Sequence, residues 1–202
     1  MPSLAGTRLP ALLVEFARRY PAISVRVRES PLPELLEAVR RREVDFGIGP
    51  EIPRPTELEF RSIFQEDYVA LLPRSHPAAQ KKGISLRELA RMPLMTISDS
   101  HMEVQLREAM REEQLPVEMN YDFTSVSTAA AMVEAGLGVA VIPAVAVPAR
   151  IRLKAVRIIR PVMTRTISVV TIRGHTLSPS ASRFVELAHL RIPPARPLKH
   201  RA

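Results

Sequence analysis

Apolar and polar positions switch between two periods along this chain, and each switch marks an element. Across residues 9–20, Leu9, Leu12, Leu13, Phe16 and Ala17 fall on one helical face. Pro10 sits in a first turn that tolerates it, and Pro21 ends the run. Residues 24–29, SVRVRE, alternate and predict a strand. Leu35, Leu36, Ala38 and Val39 return to helical spacing, and Arg40, Arg41 and Arg42 crowd the end of that helix, where cations suit its dipole. Val44, Phe46 and Ile48 then alternate with Asp45, Gly47 and Gly49. Residues 24–49 therefore predict strand, helix, strand: a minimal βαβ unit with parallel neighbouring strands and a right-handed crossover. Ligands of such sheets gather beyond the carboxyl ends of the strands, here near residues 29–31 and 49–51.

A further strand of that sheet is expected just before Pro2. Residues 51–57 form a proline-rich loop, 58–65 and 68–73 predict two strands, and 76–83 predict a loop. Ser85 and Glu88 match the S-x-x-E capping box of a short helix. Residues 94–97 predict a strand, followed by Ser98-Asp99-Ser100 and a helix to about 113. A strand at 118–123 leads through Thr124, Ser125, Ser127 and Thr128 into a helix stopped by Gly136 at its C′ position. Residues 139–142 predict a buried strand closed by Pro143, then a short helix at 144–150 and strands at 153–159 and 166–172. Ser178 caps a last helix to about 190, and the proline-rich, basic tail 192–202 reads as disordered. Strands and helices alternate, so the class is α/β with mainly parallel sheets. Two such groups, one before about residue 65 and one after, predict two lobes.

Composition narrows the chemistry. The 202 residues are 46% hydrophobic, enough for a core, and carry a net charge of +8. Of the 29 Lys and Arg only four are Lys, a skew that points to genome composition rather than a chosen surface. Net charge alone speaks to non-specific polyanion binding, not to fold. Only 4% of residues are aromatic, with no Trp, which leaves little for base stacking. The absence of Cys excludes disulfides, zinc–thiolate sites and cysteine nucleophiles. His76, His101, His175, His189 and His200 make no metal-ligating spacing, so no metal or cofactor is expected. There is no G-x-S-x-G elbow. Gly136-x-Gly138 lacks a third glycine and follows a helix, which rejects a dinucleotide fingerprint. No apolar run reaches the ~20 residues of a membrane span, and no signal-peptide pattern opens the chain. These features predict a cytoplasmic, non-enzymatic protein.

Four stretches in order, LPALLVEFARRYP, ELLEAVRRREVDFGIGP, YVALLPRSHP and MVEAGLGVAVIP, resemble the effector-binding (substrate-binding) domain of LysR-type transcriptional regulators. The resemblance covers residues 2–190. It implies a two-lobed, type 2 periplasmic-binding-protein-like α/β fold joined by two crossover strands. Lobe I would take residues 1–65 plus 168–202, and lobe II residues 66–167. It also implies a small-molecule effector, such as a small organic acid, in the interlobe cleft, and assembly as a homodimer or homotetramer. DNA would be met only through an N-terminal helix-turn-helix domain that this sequence does not include. A solute-binding protein of a transporter, with the same fold, is the alternative.

The same resemblance implies site residues. Ser3 stands where family members often contact the effector's carboxylate; a plain helix cap explains the serine as well. Leu32 occupies a position that often carries a hydroxyl, which leaves Ser30 as the polar substitute, and Pro50 offers only apolar contact. Ser98, Asp99, Ser100 and His101 face the cleft from lobe II, with Ser100 equally a helix cap and Asp99 unfavourable to an anion. Thr124, Ser125 and Ser127 supply more hydroxyls than one cap needs, so Thr124 or Ser125 is assigned to the ligand. Arg40, Arg41 and Arg42 read as a solvated helix end, and His76 as a solvated loop histidine.

Overall fold

The computed structural model describes residues 2–52, 57–97, 100–116, 118–119, 121–147 and 152–192. It opens with α1 (Pro2–Ala5), α2 (Leu9–Arg19), α3 (Leu32–Arg40), β1 (Gly47–Pro50) and β2 (Leu58–Pro73). Next come β3 (Ile84–Ser85), α4 (Leu86–Leu89), β4 (Leu94–Ile97), α5 (His101–Glu112), β5 (Tyr121–Phe123) and α6 (Val126–Glu134). The chain continues through β6 (Val139–Pro143), β7 (Leu153–Arg160), β8 (Thr164–Ile172) and α7 (Pro179–Arg191). Two compact units divide these elements. Unit 1 takes the chain up to Glu66 and resumes at Arg165; unit 2 takes Asp67–Thr164.

In unit 1, β8 lies between β1 and β2, with Gly47 antiparallel to Val170. Helix α2 exists because its apolar stripe has somewhere to go. Phe16 is fully buried, with its ring 4.9 Å from Tyr20 and 5.0 Å from Phe184 of α7. Helix α3 buries Leu36 and Val39 against Leu58 and Val170. Gly47 lets α3 come close: a Cβ there would stand 2.5 Å from Leu35 Cδ2.

Unit 2 is one sheet in the order β5–β4–β6–β2–β7–β3. The pairs β4/β5, β4/β6 and β3/β7 are parallel, and β2/β6 and β2/β7 are antiparallel. Strand alternation sends Tyr68, Leu72, Leu94 and Val141 to one face, packed with Leu106 and Met110 of α5. Val69, Leu71, Met95 and Ile142 pack on the other face with Ala129 and Val133 of α6.

Four expectations are corrected. Residues 24–29 are not a strand, so the expected βαβ unit is absent. Extended backbone becomes a strand only with a hydrogen-bonding neighbour, and β1 pairs with β8 instead. Val25 and Val27 are accordingly 41% and 49% exposed. The pairing sense is mixed rather than mainly parallel, because β2 runs antiparallel to β6 and β7, and β8 to β1. The two strands expected at 58–65 and 68–73 are one 16-residue strand, β2. The helix expected at 144–150 is a 3-10 turn, Ala144–Ala146, with residues 148–150 outside the described set. The expected disorder at 192–202 falls almost wholly outside it too.

Candidate functional site

The strand order of unit 2 turns back at β4. From β4 the chain passes through α5 to β5, and from β5 through α6 to β6 on the other side of β4. The two helices therefore cover opposite faces, as their separate cores show. Strand ends that diverge in this way open a crevice at the carboxyl edge of a sheet. Ile97 and Phe123 are register partners, so the segments leaving β4 and β5 start side by side.

Both segments end in serine caps. Ser100 Oγ accepts from the Glu103 amide at 3.1 Å and starts α5. Ser125 Oγ accepts from the Thr128 amide at 3.1 Å and starts α6. Ser125 Oγ also lies 3.0 Å from Ser127 Oγ and 2.9 Å from Thr128 Oγ1, so the surplus hydroxyls gather around the cap. A helix start carries the positive end of the helix dipole, the ordinary attraction of a helix N-terminus for an anion. Ser100 and His101 are half-buried, and Thr124 is exposed. Ser98 and Asp99 lie outside the described residues. Thr96 Oγ1, on β4 just before this edge, is buried with no hydrogen-bond partner.

In unit 1 the expected residues divide. Ser3 is buried at 8% exposure, and its hydroxyl meets Arg165 Nη2 at 2.9 Å. Arg165 also donates to Glu66 Oε1 from Nε at 2.8 Å and from Nη2 at 2.6 Å. Ser30 is buried and precedes α3, whose N-cap is Pro31 with no side-chain cap bond. Leu32 packs with Leu36 and Val39 against Leu58 and Val170, which accounts for an apolar residue at that position. Pro50 is buried at the end of β1, opposite Ile167. The Arg cluster is occupied: Arg41 Nε pairs with Glu37 and Arg40 Nε with Glu57, each at 2.6 Å. His76 is more than a solvated loop residue, since its Nδ1 accepts from the Ala78 amide at 3.1 Å and caps the 3-10 turn Pro77–Gln80. A surface cavity of about 180 Å³ beside Arg42, Asp45, His175 and Ser178 contains none of the expected site residues.

Sequence reading missed Glu66 and Arg165, although a signal existed. Glu66 shares its strand phase with buried Phe64 and Tyr68, and Arg165 shares its phase with buried Ile167 and Val169. A charge on the inward phase of a strand demands a partner.

Among the described residues no group of His, Asp or Glu could hold a metal, and no helix is long and apolar enough to cross a membrane. A doubly wound sheet whose divergent strand ends carry helix starts defines a small-ligand-binding α/β domain. The chain matches the LysR substrate binding domain over residues 1–191 and belongs to that family. The HTH-type transcriptional regulator YbhD of Escherichia coli (strain K12) is 28% identical over 190 residues, 93% of this chain and 60% of YbhD. The chain thus spans under two thirds of that relative. The effector binding domain of QuiR in complex with shikimate shares the fold, with a TM-score of 0.81 and 16% identity. That match covers 93% of this chain and 91% of QuiR's. The Synechocystis CcmR regulatory domain in complex with 2-PG gives a TM-score of 0.82 at 21% identity, covering 93% of each chain. These likenesses place the fold among periplasmic-binding-protein-like LysR domains.

Proposed function

We propose that this chain is the small-molecule-sensing domain of a LysR-type transcriptional regulator and takes a small organic acid as effector. The observation that carries this reading is the reversal of strand order at β4, with the capped starts of α5 and α6 leaving neighbouring strand ends. The candidate contacts of unit 2 are Ser98, Ser100, His101, Thr124 and Ser125, and those of unit 1, taken by itself, are Ser3 and Ser30. Leu32 and Pro50 contribute apolar surface. Shikimate on QuiR, an acid bound by the same fold, supports the choice of ligand class.

In this reading the domain works by binding, not turnover, as its relatives are transcriptional regulators. An effector moves such a protein between two conformations only by its differential affinity for them. In this reading the protein acts in the cytoplasm as a homodimer or homotetramer, and DNA is met through a helix-turn-helix domain that these residues do not include.

A thermal-shift screen against carboxylates, amino acids, sugars and aromatic acids tests the reading. A ligand of the native state alone adds about 2.7 kcal/mol of stability at a hundredfold excess over Kd. A shift confined to one acid class and weakened in Ser125→Ala is the expected result. No shift from any class in folded protein overturns it. Sedimentation showing a strict monomer at high concentration overturns the assembly.

A further inference from the structure

Three arginines crowd the end of α3, and two are taken, Arg41 by Glu37 and Arg40 by Glu57. The third, Arg42, stands at φ 56°, a conformation that suits glycine, so a long cationic side chain is held there against local strain. Three residues on, Asp45 is exposed as well. Among the described residues neither Arg42 nor Asp45 has an ion pair or a side-chain hydrogen bond. Both line the cavity of about 180 Å³, which belongs wholly to unit 1. Glu43, the other acid there, is held by Arg28 at 2.7 Å, so its charge is already offset. Buried Val39 and half-buried Val44, Ile172 and Leu177 give the cavity its apolar part. At about 30 Å³ per molecule it has room for about six waters, well short of the roughly 300–1,000 Å³ of a drug-sized site.

We propose that this cavity is a second ligand site, independent of the one on unit 2, and takes a small α-amino acid as its zwitterion. Arg42 receives the carboxylate, to which a guanidinium presents two parallel donors. Asp45, an acceptor only when ionised, receives the ammonium. His175, also in the lining, offers a further ring N–H to the carboxylate. The apolar part takes a short aliphatic side chain. Charge decides against the rivals. A plain carboxylate or phosphate satisfies Arg42 and meets Asp45 with like charge, and a plain amine does the reverse. A molecule carrying both charges a few atoms apart satisfies both. Both protein charges are exposed, so each contact is weak and the affinity is on the order of millimolar, too low for the thermal screen to register.

The test titrates the whole chain by NMR with alanine, valine, alaninamide, which lacks the carboxylate, and N-acetylalanine, which lacks the ammonium. Wild type, Arg42→Gly and Asp45→Asn are compared. Alanine or valine shifts the amides of residues 42–45 and 172–178 and binds wild type about tenfold or more tighter than either blocked form, the worth of a hydrogen bond to a charged group. Arg42→Gly removes the advantage over alaninamide and keeps that over N-acetylalanine. Asp45→Asn does the reverse. This crossed pattern assigns each end of the ligand to one side chain, which a loss of fold does not imitate. Arg42→Gly also relieves the strain at φ 56°, so binding is lost from a protein at least as stable. No binding of either amino acid, equal binding of the blocked forms, or amino-acid binding untouched by Arg42→Gly overturns the proposal. Amino-acid shifts confined to unit 2 overturn it too. Each of these failures leaves the organic acid found by the thermal screen, and with it the sensing function, standing.

Discussion

The amide of Glu43 donates to the carbonyl of Ala38 across 2.9 Å, closing the end of α3 in a Schellman motif. The residue between the helix and that amide, Arg42, is held at φ 56°, a conformation that suits glycine. Gln114 does the same at the end of α5, with φ 54° and the Leu115 amide donating to Met110 at 2.9 Å. Gly136 ends α6 in the same way at φ 80°. Arg42→Gly and Gln114→Gly should each stabilise the protein by about 0.5–1 kcal/mol, and Gly136→Ala should cost about 1 kcal/mol. Urea midpoints read all three; a lower midpoint in either glycine variant contradicts the strain account.

Gly138 answers to a different constraint. A Cβ there would lie 2.3 Å from the Pro93 carbonyl oxygen, which the Val139 amide already holds at 2.9 Å. Neither backbone can retreat without breaking the junction of β4 and β6. Gly138→Ala should cost about 1–3 kcal/mol, the range of overpacking, and more than Gly136→Ala, whose site is open. Equal melting losses at the two positions would contradict the close approach.

Acid should weaken unit 2 through Glu88. Lys81 bonds its carboxylate, and the Ser85 amide and hydroxyl bond it again, which lowers its pKa from 4.5 to about 2. A depressed carboxylate stabilises fully above its unfolded pKa and loses that contribution as pH falls from about 4.5 towards 2. The side chain is 34% exposed, so screening keeps the contribution near 1 kcal/mol, roughly that of a good surface pair. Glu88→Gln should lower the urea midpoint at neutral pH and match wild type near pH 2. A constant gap across that window would mean that charge is not the cause.

The two serine caps should report stability and binding separately. Ser100→Ala and Ser125→Ala each remove a helix cap and should cost about 1 kcal/mol of stability. Ser125→Ala should also weaken the acid found by the thermal screen, measured by calorimetry at a temperature where both proteins stay folded. Unchanged affinity would confine Ser125 to capping.

What the sequence determined by itself was what neighbours along the chain decide. Helix α2 ends within a residue of its predicted limits; the Ser85–Glu88 box, the Ser178 cap and the Gly136 stop all stand where their local chemistry put them. A cap or a helical stripe needs partners three or four residues away, so composition and spacing suffice. The alternating stretch 24–29 shows the limit: its pattern suits a strand, but strand formation depends on a distant edge, and β1 gave its edge to β8. Only tertiary structure decided what Ser3 meets. Ser3 was legible as a candidate; Glu66 and Arg165 lie 99 residues apart, and Arg165 lies 162 residues from Ser3. Burying two charges stabilises nothing unless each finds the other at hydrogen-bond distance, and that distance is set by how β2, β8 and α1 pack.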